Sequence, residues 1–229
     1  MTAGLLLIAA ALGFVLYNNW DSRRAGDAAE EAREALRISM EHRNPSAVPQ
    51  FGSSDFSSAS VPASVPDSAQ PDMEGESAPV YANRPTLPDT VPAVPVMPSE
   101  ELDGSLYIGI LEIPSLSLSL PVMENWDYDK LKIAPCRYTG NLYADDLVIA
   151  AHNYASHFGK IGTLSNGAEL IFTDMKGEKH IYTVCDLEQI PGTAVEQMQF
   201  GSADDWDLTL FTCTLNGQSR VTVRAERRE

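Results

Sequence analysis

Two side chains near the end of the chain could together perform nucleophilic chemistry. Cys213 ends an apolar strand predicted over residues 208–213, and six residues that include Asn216-Gly217 separate it from a second strand predicted over residues 220–224. Asn-Gly between two such runs is a strong hairpin signal. Because side chains alternate along a strand, the hairpin brings the Cys213 thiol close to the Arg220 guanidinium. A fixed cation favours the nucleophilic thiolate and can bind the oxyanion that forms when a thiolate attacks a carbonyl.

A proton donor for the leaving amine would complete such a site. His152 directly follows a short apolar run at residues 146–151, and it is the best placed of the four histidines to act as general acid and base. His157 is an alternative base five residues further on. His180 alternates with its neighbours on an ordinary strand, and His42 lies outside the predicted domain.

Each of these residues also has a structural interpretation. A cysteine is often a small buried apolar residue, an arginine half of a surface ion pair, and a strand-end histidine a satisfied polar group. Arg224 is the alternative to Arg220, and Cys136 and Cys185 are expected to be structural. Three cysteines leave at least one thiol unpaired within the chain. The residues by themselves leave open a Cys-His-Arg hydrolase or transferase and a non-catalytic β-barrel binding module with an incidental thiol.

The elements that must position these groups are short strands. Besides those already given, alternating or apolar runs predict strands at residues 106–113, 116–122, 170–173 and 180–187. Only residues 157–164 suggest a turn of helix. This spacing predicts an all-β domain that forms a closed or nearly closed barrel over residues 100–229.

The N-terminal part has a different composition. Residues 3–17 carry no charge and are marginal for a hydrocarbon layer of roughly 30 Å, yet they favour a retained transmembrane anchor over residues 1–20. A cleaved signal peptide is disfavoured, since a basic n-region and a small-x-small cleavage site are missing. Arg23 and Arg24 follow, so the positive-inside rule would place the rest of the chain in the cytoplasm.

Two segments connect this anchor to the domain. Residues 21–43 are rich in Ala, Glu and Arg, with Ala29, Ala32, Leu36 and Met40 at three- or four-residue intervals, which predicts a stalk helix with one weakly apolar stripe. Residues 44–99 hold 11 of the 15 prolines and predict a flexible linker. The formal net charge of −16 excludes a nucleic-acid binder, because phosphate neutralisation needs clustered Lys and Arg.

The order of the motifs resembles the sortases, the cysteine transpeptidases of Gram-positive bacteria. The resemblance covers residues 104–224 and rests on LEIPSLSLSLPV, on VIAAHN followed by HFGKIGTL, and on LTLFTC followed by SRVTV. It implies an eight-stranded sortase-type β-barrel with short helices. It further implies that Cys213 attacks the Thr-Gly carbonyl of an LPxTG-like sorting signal, that His152 transfers protons and that Arg220 holds the oxyanion. Ala151 departs from the family, which often has glycine before the histidine.

Partners and location follow from the same resemblance. The donor would be a surface protein with a C-terminal sorting signal, and the acceptor a peptidoglycan precursor amine or a pilin lysine. The catalytic domain would be extracellular on a single-pass membrane protein, in conflict with Arg23 and Arg24. The loop at residues 191–205 would shape the groove for the sorting signal. An Asp-Pro-aromatic lid motif, which pilin-polymerising relatives often carry, is missing from the linker, and this favours protein anchoring over pilin polymerisation. A further alternative is a membrane-tethered cysteine peptidase, in which water and not an amine resolves the acyl-enzyme.

No cofactor and no obligatory metal are expected. Some relatives use calcium through acidic loops, and the corresponding residues here would be Asp145, Asp146, Glu188 and Glu196. Isolated acidic pairs in so acidic a chain are usually solvated surface.

Overall fold

The computed structural model describes residues 2–43, 94–199 and 206–228, where a long helix precedes a nine-stranded sheet. The predicted linker therefore lies outside the described residues, except for residues 94–99. The helices are α1 (Thr2–Arg43) and α2 (Val195–Gln199). The strands are β1 (Glu100–Leu102), β2 (Ser105–Ile113), β3 (Leu118–Met123), β4 (Cys136–Thr139), β5 (Leu147–Ala151), β6 (Glu169–Asp174), β7 (Lys179–Pro191), β8 (Leu208–Cys213) and β9 (Ser219–Arg227).

Eight of these strands close into a barrel. The sheet order is β1-β2-β3-β4-β5-β8-β9-β7-β6, and β6 pairs in turn with β2, so strands β2 to β9 form a ring. The three-residue β1 pairs with the beginning of β2, outside the stretch that β6 occupies. The predicted eight-stranded barrel is confirmed.

Closure of the ring depends on one glycine. At Gly109, where β2 meets β6, a Cβ atom would lie 2.4 Å from the Thr173 carbonyl oxygen and 2.7 Å from the Phe172 ring. Only a residue without a side chain allows the two backbones to come this close.

Several predicted bounds differ from the observed ones. Cys136 begins strand β4, which was not predicted from the sequence. The predicted strand at residues 116–122 begins only at Leu118, because Pro114–Leu116 form a 3-10 turn that ends at Ser117 in the left-handed region. The helical turn predicted at residues 157–164 is a 3-10 turn at Ile161–Thr163. The helix α2 was not foreseen.

Alternation divides the barrel strands between an inner and an outer face. The main core contains Leu147 and Ile149 of β5 together with Leu208 and Leu210 of β8. The residues that alternate with them, Val148, Ala150 and Phe211, form a smaller apolar cluster on the outer face together with Ile190 of β7 and Met198 of α2. The candidate site lies on this outer face.

Helix α1 is continuous and packs along the barrel. Ala25, Ala29, Ala32 and Leu36 are buried at four- and three-residue intervals, which is the spacing of one helix face. This differs from a stalk that stands in solvent, because the small alanines let the helix approach the barrel closely. None of the described helices is apolar enough over a sufficient length to cross a membrane.

The chain rejoins the barrel before Glu100. Met97 is buried, and the Asn141 side chain donates a hydrogen bond of 3.0 Å to the Pro95 carbonyl. At the end of α1, Arg43 forms an ion pair with Glu100, and Ser39 donates a hydrogen bond of 3.0 Å to the same carboxylate. Both flanks of the predicted linker are therefore fixed to one body, so its length does not set the distance between α1 and the barrel.

Candidate active site

Three adjacent strands bring the predicted residues to one level of the barrel. Strand β8 pairs antiparallel with β9, and Cys213 lies directly opposite Arg220. Strand β5 pairs parallel with β8, and Ala151 lies opposite Thr212, so His152 follows β5 at the level of Cys213. Neighbouring strands are about 4.8 Å apart. The register therefore places the thiol strand between the imidazole and the guanidinium strands.

The same alternation sets the direction of these side chains. Ala151 belongs to the inner core, so the next residue, His152, falls on the outer side of β5. Phe211 belongs to the outer cluster, so Cys213 shares its side of β8, and Arg220 faces Cys213 as its directly opposite partner. Cys213 is exposed to solvent.

A tight turn fixes the relation between Cys213 and Arg220. The Thr214 amide donates a hydrogen bond of 2.9 Å to the Ser219 carbonyl, and the Thr214 hydroxyl donates one of 2.7 Å to the Asn216 side chain. Gly217 has a φ of 72°, the left-handed conformation that glycine adopts at no steric cost. The Asn-Gly signal thus predicted the hairpin correctly.

Arg220 lies over the turn that follows β7. Its Nη1 donates hydrogen bonds of 3.0 and 3.1 Å to the carbonyls of Gly217 and Ser219. A Cβ atom at Gly192 would lie 2.9 Å from this nitrogen, so the glycine leaves room for the guanidinium. Among the described residues none accepts a hydrogen bond from its Nη2 or Nε, so these donors can face a substrate.

Arg224, the alternative arginine, is held by other groups. It forms ion pairs with Glu188 and, at 3.8 Å, with Asp186. Its guanidinium also donates a 3.0 Å hydrogen bond to the Gln197 carbonyl and lies 4.0 Å from the centre of the Trp206 ring. In the strand register Arg224 faces Thr209, four pairs away from the pair of Cys213 with Arg220.

His152 is half-buried at the end of β5. Burial lowers its pKa from the ordinary value of 6.5, Asp21 raises it in opposition, and Lys132 lowers it further. The imidazole is therefore mainly neutral at neutral pH, the form that accepts a proton.

The other histidines in the barrel have different surroundings. His157 is fully buried, and burial lowers its pKa to about 4. His180 Nε2 lies 3.5 Å from a carboxylate oxygen of Asp174, in the hairpin between β6 and β7.

The three thiols differ in their surroundings. Cys136 is buried, and burial raises its pKa to about 12. Cys185 is half-buried and donates a hydrogen bond of 3.3 Å to the Arg224 carbonyl, and burial again raises its pKa. Cys213 is the exposed thiol among the three.

An aromatic groove leads to Cys213 and Arg220. A cavity of about 160 Å³ contains both residues, together with Trp126, Tyr128, Leu131, Tyr138, Ala150, Gly192, Val195, Met198 and Phe211. The Trp126 and Tyr138 rings are 5.3 Å apart, and the Tyr138 and Phe211 rings meet edge to face at 5.2 Å. Sequence reasoning missed this row, although the Trp126-Asp127-Tyr128 run outside any strand was a usable signal.

Part of the loop at residues 191–205 borders the aromatic groove. Gly192, Val195 and Met198 line the cavity. Residues 200–205 of this loop lie outside the described residues.

The acidic residues considered for calcium are mostly engaged by the chain itself. Asp145 forms an ion pair of 2.9 Å with Arg227, and Glu188 forms one with Arg224. Asp146 accepts a hydrogen bond of 2.6 Å from the Asn141 amide. These carboxylates therefore serve local structure.

Comparisons with known proteins point to one family. The model of the sortase domain matches residues 111–228. Similar solved structures include sortase C from Clostridium perfringens SM101 (25% identity, TM-score 0.45, covering 54% of this chain and 70% of that one). Sortase A from Corynebacterium diphtheriae is 22% identical with a TM-score of 0.48, and the match covers 55% of this chain and 62% of that one. Sortase C-3 from Streptococcus pneumoniae is 28% identical with a TM-score of 0.47, and the match covers 55% of this chain and 64% of that one. No curated protein matches the chain.

Proposed function

Because the chain belongs to the sortase family, we propose that it is a cysteine transpeptidase that cleaves an LPxTG-like sorting signal between Thr and Gly and joins the protein to a cell-wall amine. One observation carries this proposal. Cys213 and Arg220 face each other across β8 and β9 beside a groove, and His152 follows the neighbouring strand at the same level.

The first half of the reaction forms a thioester. Cys213 gives its thiol proton to the neutral His152 imidazole, and the resulting thiolate attacks the threonine carbonyl carbon while free donors of Arg220 hold the oxyanion that develops. The bond to the glycine nitrogen then breaks, and the protonated form of His152 gives its proton to the departing amine. The C-terminal tail leaves, and the threonine carbonyl stays bound to Cys213.

The second half returns the enzyme to its starting state. An acceptor amine attacks the thioester carbonyl, neutral His152 takes its proton, and the Cys213 thiolate departs as the new amide bond forms. His152 then returns the proton to the thiolate. The lowered pKa of His152 suits the attack by the amine, since the imidazole must be free to accept a proton at neutral pH. The acceptor would be a peptidoglycan precursor amine.

Two cavities border the strands that carry these residues. The aromatic groove lies on one side and suits the apolar part of an extended sorting signal. A second cavity of about 450 Å³ extends along the β8–β9 hairpin and includes Asn153, Thr212 and Thr214.

The proposed location is the outer surface of the cell membrane, with residues 1–20 as the anchor. Large apolar side chains on the N-terminal half of α1 are exposed, including Leu7, Leu12, Phe14 and Leu16. Such a continuous exposed apolar surface is unfavourable in water and favourable in lipid.

The test uses the full-length protein in detergent with an LPxTG-like peptide and an added amine. We expect a transfer product, and we expect Cys213→Ala, His152→Ala and Arg220→Lys each to abolish it or reduce it by roughly 100-fold or more. Arg224→Lys is the matched control. It should lower the unfolding free energy, because Arg224 forms ion pairs with Glu188 and Asp186, and it should leave most of the turnover. A Cys213→Ala protein that cleaves as well as the parent would remove the basis of the proposal.

Two related reactions are separated by the products. Cleavage at the same rate with and without the amine, and no joined product, would identify a membrane-tethered cysteine peptidase in which water resolves the thioester. Preference for a lysine within a folded pilin subunit over a small amine would identify a pilin-polymerising sortase.

A further inference from the structure

The loop that carries His152 is in direct contact with helix α1. The Tyr154 hydroxyl donates a hydrogen bond of 2.5 Å to the Asp21 carboxylate. The ring of the same tyrosine is stacked on the His152 imidazole, with centroids 4.8 Å apart and planes inclined by 27°. One side chain therefore links the helix to the imidazole.

A second set of contacts fixes the same loop. The Ser156 hydroxyl donates a hydrogen bond of 2.8 Å to the Ser22 carbonyl. A Cβ atom at Gly26 would lie 3.0 Å from the Ser156 Cβ, so the helix backbone passes directly against the loop. Within the loop, the Phe158 amide donates to the His152 carbonyl at 3.2 Å. The loop is thus held both from within and from α1.

Asp21 also acts on His152 electrostatically. The charged groups that influence the imidazole are Asp21 from α1, which raises its pKa, and Lys132 from the 3-10 turn before β4, which lowers it, with burial as the largest effect. Burial and the bond to Asp21 raise the pKa of Tyr154 to about 12, so its hydroxyl remains a donor across the working range.

We propose that Asp21 and Tyr154 are positioning residues for His152, so that helix α1 completes the active site. The proposal rests on the proposed role of His152 as the proton carrier. Neither residue touches the reacting atoms. The Tyr154 ring restricts rotation of the imidazole while it first gives and then takes a proton, and Asp21 holds that ring in place. The N-terminal helix then has a catalytic purpose beyond attachment.

The variants separate stacking from hydrogen bonding. Tyr154→Phe keeps the ring and removes the bond, Tyr154→Leu removes both, and Asp21→Asn removes the charge. Asp27→Asn is the matched charge control, because Asp27 is exposed on the same helix. Tyr143→Phe removes a tyrosine-carboxylate hydrogen bond of 2.8 Å to Asp174 elsewhere in the barrel.

The test is to measure kcat and KM for peptide cleavage as a function of pH and to follow the titration of His152 by NMR. The His152 signal is assigned by its loss in His152→Gln. Asp21→Asn should lower the His152 pKa and reduce kcat by roughly tenfold with little change in KM, and Tyr154→Leu should reduce kcat by up to roughly 100-fold. The double variant Asp21→Asn/Tyr154→Phe lacks both the carboxylate charge and the tyrosine hydroxyl, so its kcat should be at least as low as that of the poorer single variant. The two controls should keep the parent's titration and kcat.

The outcomes distinguish this inference from the proposed function. If the His152 pKa is the same in Asp21→Asn as in the control Asp27→Asn, the positioning role is wrong, whether or not turnover falls. If His152→Gln retains full activity, the proposed function fails instead, and the titration still tests the link between Asp21 and the imidazole.

Discussion

Acid should weaken this fold through one buried histidine. His157 has no exposed surface, and neither ring nitrogen has a hydrogen-bond partner among the described residues. The carbonyl groups of Ala25 in α1 and Ile133 lie near enough to oppose the effect of burial on its pKa, but burial prevails and lowers the pKa from 6.5 to about 4. The folded protein therefore disfavours the charged imidazolium.

The sign and size follow from proton linkage. Below pH 6.5 the unfolded chain binds a proton at His157, and the folded chain does so only near pH 4, so stability falls as the pH falls between these values. A pKa difference of this size corresponds to about 3 kcal/mol of unfolding free energy once the pH lies below both values, and to about 2 kcal/mol between pH 7 and pH 5.

The assay is urea unfolding of the full-length protein in neutral detergent at pH 7, 6 and 5. Carboxylates also titrate in acid, so the informative quantity is the difference between the parent and His157→Leu. We expect the parent to lose about 2 kcal/mol more than His157→Leu over this range. His42→Gln is the control, because His42 lies exposed near the end of α1. Parallel pH profiles for the parent and His157→Leu would refute the reasoning.

Two further predictions concern the closure of the barrel and the groove. Gly109→Ala should lower the unfolding free energy by about 3 kcal/mol, because the added Cβ would overlap the Thr173 carbonyl. Gly13→Ala is the control and should leave the unfolding free energy unchanged, because the space around Gly13 is open. The midpoints of urea unfolding measure both effects. Trp126→Ala should raise KM for the sorting peptide roughly tenfold with kcat nearly unchanged, since it removes only binding surface; an unchanged KM would contradict the assignment of the groove.

Much of the site could be predicted from local sequence because its geometry is local. Strict alternation in residues 208–213 fixes which side chains share a face, and the Asn216-Gly217 turn fixes the pairing of Cys213 with Arg220. His152 follows a strand that is apolar throughout, which is typical of a strand buried on both faces. The choice of Arg220 over Arg224 as the catalytic arginine remains a prediction about activity.

Other features escaped sequence reasoning because they depend on residues distant in the chain. Asp21 and Tyr154 are 133 positions apart, and nothing in the composition of residues 21–43 distinguishes a stalk from a helix packed on a barrel. The aromatic groove combines a loop after β3 with strands β4 and β8, and no single segment shows this pattern.

The sequence by itself determined seven of the nine described strands and the pairing of the thiol with the guanidinium, since backbone alternation and turn chemistry act over a few residues. Only the tertiary structure decided that β6 closes onto β2 at Gly109, that His157 is buried with no hydrogen-bond partner in the described part of the chain, and that α1 contacts the His152 loop. The physical reason is that these contacts join residues far apart in the chain. They form only where the surfaces of assembled elements pack closely together, and no single segment contains that information.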